Sequence, residues 1–383
     1  MKRILILTEF FPPNNSGVSQ SVKRLVEMIR CNGVDNVSVA SIEPFTEEYS
    51  YPQYRKEDVD GIAVWRINTG KKRPLNSPED IRVAEYITKK IVLQESIEAI
   101  HAYNIFNAGY IAYQINKELS IPYILSIRGN DLTRGLYAYN DLYVQKLIID
   151  NAKAIVCVNG FLYDRLLQNY PEASARSSVI YNSIIPETQW QNHLKMKECL
   201  KQEADVQKKF VFAYIGEVKE KKRTLMLMDA FMSLNEQYPD TLLYIVGYVY
   251  QEEMDYMNKM LEQCRNIIYI PKVTHEEVGK FYAISDAFVQ MSHDDGLPNS
   301  LLEAIYMQVP VIASSIFSDF LTDEEDALLV DPFSKKELIE KMKFIYLNSQ
   351  KRGQIAESAL KLISGKLSSE NEYLSFVRIY DEI

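Results

Sequence analysis

The feature that most restricts the fold of this chain is a strand–loop–helix pattern that recurs along its length. Ile4 to Leu7 is a short apolar run, a loop rich in Pro and Asn follows, and apolar residues from Val18 to Ile29 then recur at helical spacing. The same order returns at 210–216, where FVFAYIG is typical of a buried strand that ends in glycine. Strands that alternate with helices predict parallel sheets with helices on both faces.

The pattern continues through both halves of the chain. Further strands are predicted at VSVASI, IAVWRI, IEAIHAY, IPYILSIRG, AIVCVNG, SVIYNSI, LLYIVGY, IIYIPKV, AFVQMS and VPVIAS. Further helices are predicted over Val83–Leu93, Ala108–Glu118, Leu225–Leu234, Met254–Cys264, HEEVGKFYAIS and 299–307. The sequence therefore predicts an α/β fold with two Rossmann-like, doubly wound parallel-sheet domains.

A polar, charged segment marks the expected domain boundary. We predict a first domain over 1–185, a linker over 186–208, a second domain over 209–368 and a C-terminal helix over 369–383. Ligands of such sheets bind outside the carboxyl ends of the strands. With two domains facing each other, the cleft between them is the expected site.

Composition excludes several classes of protein. Hydrophobic residues make up 47% and charged residues 25%, as in an ordinary globular protein. No apolar run approaches the roughly 20 residues that span a bilayer, and the N-terminal run ends at Thr8, too early for a signal peptide. We therefore expect a cytoplasmic protein. The four cysteines form no CxxC pair and the four histidines show no ligand spacing, so we expect no metal.

Charge is distributed unevenly between the halves. Residues 1–185 hold 21 Lys and Arg against 20 Asp and Glu, whereas 186–383 hold 22 against 32. No concentrated basic surface indicates a nucleic-acid partner. The runs Lys71–Arg73 and Lys89–Lys90 favour a solvated loop and helix face, and peripheral contact with an acidic membrane is the alternative.

Two loops that follow strands have the residues of an anion site. Gly17, at the end of the first loop, lets the backbone approach an anion at a helix N-terminus, although an ordinary turn would look the same. The loop 216–223 occupies the equivalent place in the second domain and is rich in lysine. Its lysines can neutralise a diphosphate, or they form a solvated charge run.

The most specific segment is 293–304, HDDGLPNSLLEA. Asp295 and Glu303 stand eight residues apart across a Gly-Leu-Pro-Asn turn, and Glu303 lies in the helix that follows. A carboxylate there can accept hydrogen bonds from the vicinal hydroxyls of a ribose, and the turn amides can hold a sugar or a phosphate. The alternative is a helix capped by Asn299 with Glu303 on its surface.

These residues carry a resemblance to a known family. DGLPNSLLEAIYMQVPVIAS is similar to the EGxPxxxLEAMAxGxPVIAS signature of the retaining glycosyltransferases of family 4, which have the GT-B fold. TEFFPPNNSGVSQSVKRL resembles their N-terminal loop, and FAYIGEVKEKKRTLMLMDAF their GRLxxxKGxxxLxxAF loop. The resemblance spans nearly the whole chain.

The resemblance implies a retaining, hexosyl-type transfer from a nucleotide-diphosphate sugar to a glycan or lipid-linked hydroxyl, in surface polysaccharide or glycolipid assembly. It implies no metal or other cofactor, and a final helix that packs back on the first domain. The implied catalytic residues are Lys222, Asp295 and His101. The implied donor-binding residues are Ser16, Gly17, Gly216, Lys222, Gly296, Leu297, Asn299, Ser300 and Glu303, and the acceptor-side residues are Arg128, Asn130 and Asp131.

Three departures from the family pattern bear on activity. The first loop has Ser16-Gly17 in place of Gly-Gly, Asp295 is one methylene shorter than glutamate, and Glu217 replaces an arginine. A glutamate repels a diphosphate, so Lys219, Lys221 or Arg223 of the same loop would have to substitute for the arginine. A catalytically weakened sugar-nucleotide binding subunit and a GT-B sugar-nucleotide epimerase are the alternative interpretations.

Overall fold

The chain divides into two compact units. The structure is a computed structural model that describes residues 2–14, 16–34, 36–43, 51–69, 77–129, 131–134, 139–184, 186–271 and 273–383. The first unit comprises residues 1–182 together with 369–383, and the second comprises 183–368. Each unit is built around one sheet.

The first unit has an eight-stranded sheet in the order β3-β4-β2-β1-β5-β6-β7-β8. Its central strand is buried along its whole length, as expected for a parallel strand covered on both faces. The strands are β1 (Ile4–Thr8), β2 (Val37–Glu43), β3 (Gln53–Val59), β4 (Ile62–Asn68), β5 (Ala99–Tyr103), β6 (Tyr123–Ile127), β7 (Ala154–Cys157) and β8 (Ser177–Val179). The helices between them are α1 (Gly17–Cys31), α2 (Pro78–Gln94), α3 (Tyr110–Leu119), α4 (Asp131–Arg134), α5 (Tyr139–Asn151) and α6 (Gly160–Asn169).

Strand β3 is the exception to parallel pairing. It pairs antiparallel with β4 at the edge of the sheet, and most of its side chains are exposed or half-buried. The sequence pattern does not predict this strand, because QYRKEDV has the polar composition of a loop. The other seven strands of this sheet pair in parallel, as predicted.

The second unit has a six-stranded parallel sheet in the order β11-β10-β9-β12-β13-β14. Its strands are β9 (Phe210–Ile215), β10 (Thr241–Val246), β11 (Ile267–Ile270), β12 (Ala287–Gln290), β13 (Val311–Ser314) and β14 (Leu328–Val330). Its helices are α7 (Thr188–Lys195), α8 (Lys197–Glu203), α9 (Thr224–Asn235), α10 (Gln251–Gln263), α11 (His275–Ile284), α12 (Asn299–Tyr306), α13 (Lys335–Leu347) and α14 (Ser349–Ser364). Three-residue β14 was too short for the sequence pattern to predict.

Residues 186–208, which the sequence analysis treats as a linker, carry α7 and α8 in the second unit. Trp190 of α7 is completely buried. A Cβ atom on Gly279 of α11 would lie 2.3 Å from the Trp190 ring, so only glycine lets α7 pack this closely. One aromatic residue therefore fixes a segment whose composition is otherwise polar.

The final helix, α15 (Ser369–Glu382), belongs to the first unit. Arg24 of α1 donates from two nitrogens to the carboxylate of Glu372, at 3.1 and 3.2 Å, and both side chains are buried. Phe376 and Tyr380 lie in the same core. Among the described residues, no helix has both the length and the apolar character needed to cross a bilayer.

Candidate functional site

Two loops of the second unit meet because they follow neighbouring parallel strands. The loop 216–223 follows β9 and the loop 291–298 follows β12, and these strands pair directly. Gly216 has a φ of +151°, and a Cβ on Gly247, after β10, would lie 2.1 Å from the Gly216 carbonyl oxygen. Glycine is therefore needed where these two turns come together.

Lys222 and Asp295, both predicted site residues, form an ion pair across these loops. Lys221 approaches the second oxygen of the same carboxylate at 3.7 Å, and Ser292 donates to Asp295 at 3.1 Å. The three ionised side chains carry a net charge of +1 in a partly buried place. Such a cluster attracts an anion, which would compete with Asp295 for the two lysines.

The pKa values of this cluster reflect burial and neighbouring charge. Burial is the largest single influence on the pKa of Asp295 and would raise it, but Lys222, Lys221 and the hydrogen bond from Ser292 outweigh it together. The pKa of Asp295 therefore lies below its usual range. Burial lowers the pKa of Lys221. Asp295 attracts the ammonium group and opposes this shift, whereas repulsion from Lys222 lowers the pKa further.

Glu217, the departure at the family arginine position, has its own partners. Its carboxylate is paired with Lys219, and the Tyr250 hydroxyl donates to it at 3.5 Å. Lys219 also lies 5.2 Å from the centre of the Tyr250 ring. The charge of Glu217 is thus balanced by Lys219, while Lys221 and Lys222 are directed to Asp295.

Helix α12 begins directly after the turn, with Asn299 as its first residue. Pro298 precedes it, and no side chain caps this helix by a hydrogen bond. Asn299 is therefore not the cap that the alternative reading required. Of the other predicted residues here, Gly296 and Leu297 are buried and Ser300 is half-buried. The first-turn amides, near the positive end of the helix dipole, are suited to bind an anion or a sugar hydroxyl.

Glu303, one turn into α12, is buried and held through both carboxylate oxygens. His275 Nε2 lies 3.1 Å from Oε1, and the Tyr282 hydroxyl donates to Oε2 at 2.7 Å. His275 Nδ1 lies 3.0 Å from a carboxylate oxygen of Glu187. The hydrogen bond to Glu303 is the main reason that the pKa of His275 is raised to about 9. Burial alone would lower this pKa, and Glu187 helps to raise it. Each Glu303 oxygen keeps a further lone pair for a ligand.

In the first unit, the loop after β1 ends in a capped helix. The Ser16 hydroxyl accepts from the Ser19 amide at 3.3 Å, and Ser16 is the N-cap of α1. Gly17 is the first helical residue and is exposed. Both therefore lie at a helix N-terminus, as the anion-site reading requires.

His101, which the family resemblance implied to be catalytic, lies in the core of the first unit. It is fully buried, with Nδ1 2.7 Å from the Tyr380 hydroxyl and Nε2 2.7 Å from the Ser126 hydroxyl. Burial, aided by the charge of Arg128, lowers the pKa of His101 to about 3. A neutral ring with both nitrogens engaged inside the core has no access to a substrate, so we assign His101 to packing of α15.

The predicted acceptor-side residues organise the loop after β6. Arg128 donates to the Asn182 side chain at 2.7 Å and stacks 5.0 Å from the Tyr103 ring centre. Asp131 accepts from the amides of Arg128 at 2.8 Å, Gly129 at 3.0 Å and Ile105 at 3.2 Å. Asp131 therefore shapes this loop, and Arg128 supplies its positive charge. Asn130 lies outside the described residues.

Three residues of the site were not predicted from the sequence: Ser292, which contacts Asp295, and His275 and Tyr282, which contact Glu303. Lys221 was a candidate for the diphosphate, but its contact with Asp295 was not predicted. The seven-residue spacing of His275 and Tyr282 on one helix was a usable signal, because such residues share a face. Among the described residues, no group of three or more His, Cys, Asp or Glu side chains is arranged to hold a metal ion.

Two sequence families match the chain, one on each part. The family described as Glycosyltransferase Family 4 matches residues 15–188, and the family described as Glycosyl transferases group 1 matches residues 196–362.

Individual proteins extend the likeness to nearly the full length. An uncharacterised glycosyltransferase of Methanocaldococcus jannaschii is 24% identical, over 87% of this chain and 89% of that protein. Alpha-monoglucosyldiacylglycerol synthase of Acholeplasma laidlawii is 21% identical, over 93% and 91% of the two chains. The structure of Anabaena HepE in complex with UDP and glucose has a TM-score of 0.78 at 16% identity, over 100% of both chains, which is a likeness of fold. The chain therefore belongs to the family 4 glycosyltransferases, the glycosyl transferases of group 1, and has their GT-B fold.

Proposed function

We propose that this glycosyltransferase moves a sugar from a nucleotide-diphosphate sugar to a hydroxyl acceptor, with retention of anomeric configuration and without a metal ion. The observation that carries the proposal is the pair of carboxylates on the loop and helix after β12. Asp295 is bound by lysines, and Glu303 is held in a fixed orientation. Asp295 can give up its lysines to a phosphate group, and Glu303 can accept hydrogen bonds from sugar hydroxyls.

Lys222 and Lys221 supply the charge that a leaving diphosphate needs. When the diphosphate binds, its oxygens replace Asp295 as partners of the two ammonium groups. The freed carboxylate then accepts a hydrogen bond from a hydroxyl of the transferred sugar. Preorganised cations of this kind stabilise the charge that develops as the glycosidic bond breaks. Lys221 takes the place of the family arginine, because Glu217 is engaged with Lys219.

Glu303 binds the ribose through the lone pairs that His275 and Tyr282 leave open. The amides of Leu297, Asn299 and Ser300 line the sugar and phosphate subsite, supported by the uncapped start of α12. Gly216 and Gly296 allow close approach of the backbone, since neither carries a Cβ atom.

The first unit supplies the remaining contacts of the proposal. Ser16 and Gly17 contribute to binding of the donor phosphates through the N-terminus of α1. Arg128 and Asp131 lie on the acceptor side, as the family pattern implies. His101 is not part of this assignment, because its side chain is fully buried.

Retention requires the acceptor hydroxyl to attack from the face that the diphosphate leaves. The departing phosphate oxygen, held by Lys222, is then near the acceptor proton and can receive it. The bond from the anomeric carbon to the phosphate oxygen breaks, and the bond to the acceptor oxygen forms on the same face. The sugar passes through a state with oxocarbenium character.

The acceptor class is proposed by analogy with a relative. The Acholeplasma protein is named for the synthesis of a glucosyl diacylglycerol, and this supports a lipid-linked or glycan acceptor for the present chain. Nucleotide binding is supported by the Anabaena complex with UDP.

We also propose a cytoplasmic location with peripheral membrane contact. Lys90 is exposed and lies 4.7 Å from the Tyr86 ring centre, whereas Lys89 is paired with Glu118. Lys71–Arg73 lie outside the described residues. Co-sedimentation with vesicles of anionic and of neutral lipid tests this part: binding to anionic vesicles that salt abolishes supports it, and no binding contradicts it.

The main experiment incubates the protein with a panel of nucleotide sugars and scores nucleotide release with and without glycan and lipid-linked acceptors. Acceptor-dependent release of nucleotide and formation of a product that retains the anomeric configuration are expected. Conversion of one nucleotide sugar into another would indicate an epimerase instead. Binding without turnover would indicate the catalytically weakened subunit that Glu217 suggests.

A further inference from the structure

His275 lies between two carboxylates of the second unit. Its Nε2 atom is 3.1 Å from Glu303 and its Nδ1 atom is 3.0 Å from Glu187, which immediately precedes α7. The two acids are 116 positions apart in sequence, and the imidazole joins them. Residue Glu303 is buried, whereas Glu187 is partly exposed.

The bridge has a chemical requirement. A carboxylate accepts hydrogen bonds and does not donate, so each ring nitrogen of His275 must carry a proton to bond both acids. A neutral imidazole has one N–H and can hold only one of them. The bridge therefore exists only with the imidazolium form.

The fold fixes the ring in this position. Thr274 and Glu277 form a capping box that starts α11 at His275. The Trp190 ring lies 5.1 Å from the His275 ring, centre to centre. Gly279 permits this approach of α7 to α11, because a side chain there would collide with Trp190.

We propose that His275 is a positioning residue for nucleotide binding, which keeps the Glu303 carboxylate aimed at the ribose and anchors it to Glu187, just before α7. This inference rests on the proposed function, since it presumes that Glu303 binds the ribose. Tyr282 secures the other oxygen of Glu303, so the carboxylate plane is defined at both atoms. The ribose then meets a carboxylate whose orientation is already set.

The proposal gives nucleotide affinity a pH dependence. Deprotonation of His275 breaks one arm of the bridge, so affinity should fall as the pH rises through about 9. The titratable groups on the elements around His275 are Glu187, His193 and Lys195 before and on α7, Lys197, Glu198, Cys199, Lys201 and Glu203 on α8, Glu276, Glu277, Lys280 and Tyr282 on α11, and Glu303 and Tyr306 on α12. Lys221, whose pKa is lowered, also loses its proton at high pH and weakens diphosphate binding.

Calorimetry on the full chain separates these effects. The probe is whichever of UDP, GDP and ADP the unmodified protein binds. Its affinity is measured at several pH values between 7 and 10 for the unmodified protein, His275→Gln and His193→Gln. His193 lies beside Gly279 in the same helix pair and is the matched control. We expect His275→Gln to bind about tenfold more weakly at pH 7.5, the size of one lost charge-assisted contact, and to lose less affinity toward pH 10 than the unmodified protein. The control should follow the unmodified protein.

Glu187→Gln provides a second variant at a partly exposed position, where folding is not at risk. NMR titration of the His275 ring should show a lower pKa in this variant, and the fall in nucleotide affinity should move to lower pH with it. Equal affinity and equal pH profiles for His275→Gln and the unmodified protein would overturn the inference alone. Failure of the unmodified protein to bind any of the three nucleotides would overturn the proposed function and, with it, this inference.

Discussion

Lys222 and Asp295, 73 residues apart, form an ion pair that joins the loop after β9 to the loop after β12. The pair holds a partly buried carboxylate ionised, and Lys221 lies 3.7 Å from its second oxygen. A diphosphate can replace the carboxylate on these lysines, and hydrogen bonds from Ser292 and from the transferred sugar then offset the repulsion between Asp295 and the phosphates. The ion pair is thus a resting arrangement of the proposed donor site.

Replacement of Lys222 by alanine should reduce turnover by a factor on the order of 10², the effect of removing one electrostatic group from a preorganised site. Lys221→Ala should have a smaller effect of the same sign, because its contact with Asp295 is longer. Steady-state rates with the matched nucleotide sugar measure both. Lys259→Ala, on the exposed face of α10, is the control, and full activity in Lys222→Ala would remove Lys222 from the site.

Glu303→Gln should weaken nucleotide binding about tenfold or more, since a hydrogen bond to a charged group contributes roughly 1.5–3 kcal/mol. The variant should also be less stable at neutral pH, because His275 loses the carboxylate that faces its Nε2 atom. Calorimetry and thermal unfolding report the two effects. Unchanged affinity, with Glu262→Gln as the exposed control, would place Glu303 outside the site.

Glu217→Arg should leave turnover nearly unchanged. The reason is that Glu217 is engaged by Lys219 and Tyr250 rather than by the lysines on Asp295. A tenfold rise in turnover would show instead that position 217 reaches the diphosphate and that Lys221 does not replace the family arginine.

His101→Ala should act on stability rather than on chemistry. Loss of the buried ring leaves a cavity and two hydroxyls, those of Tyr380 and Ser126, without their partner. A destabilisation of about 2–4 kcal/mol is expected. Denaturant unfolding measures it, and turnover per folded molecule should stay near that of the unmodified protein. A large fall in turnover with normal stability would restore the catalytic assignment.

Stability should also depend on pH through His275. Its pKa is about 9 in the folded chain and about 6.5 when unfolded, so folding favours the protonated ring. The resulting stabilisation is complete below pH 6.5 and is lost as the pH rises to about 9. Because the side chain is about a third exposed, solvent screening reduces the effect to about 1–2 kcal/mol. Unfolding curves of the unmodified protein and His275→Gln should converge at high pH, and a constant difference would contradict this.

Local signals in the sequence were sufficient for much of the fold. The runs of apolar residues predicted β1, β9 and their neighbours, and parallel pairing follows from strands that alternate with helices. Strand β3 was missed because an exposed edge strand needs no apolar pattern. The helices α7 and α8 were missed because their burial rests mainly on Trp190 and Leu200 within a polar segment.

The same distinction between local and tertiary signals applies to the candidate site. The spacing of Asp295 and Glu303 is a local feature of the sequence and could be predicted directly. Lys222 lies at the same edge of the sheet because β9 and β12, the strands before the two loops, are neighbours. The partners of Glu303, His275 and Tyr282, both lie on α11, and His275 also contacts Glu187, which precedes α7; only tertiary packing brings these residues together. His101 shows the opposite case: its motif suggested a site, but Tyr380, 279 residues away, closes it into the core.

A crystal structure of the unmodified protein with its matched nucleotide diphosphate tests the central claim most directly. The account predicts phosphate oxygens within hydrogen-bond distance of Lys222 Nζ, the Lys222–Asp295 pair opened, and the ribose hydroxyls on the Glu303 carboxylate. A nucleotide bound elsewhere, with the Lys222–Asp295 pair intact and Glu303 contacting only His275 and Tyr282, would contradict it.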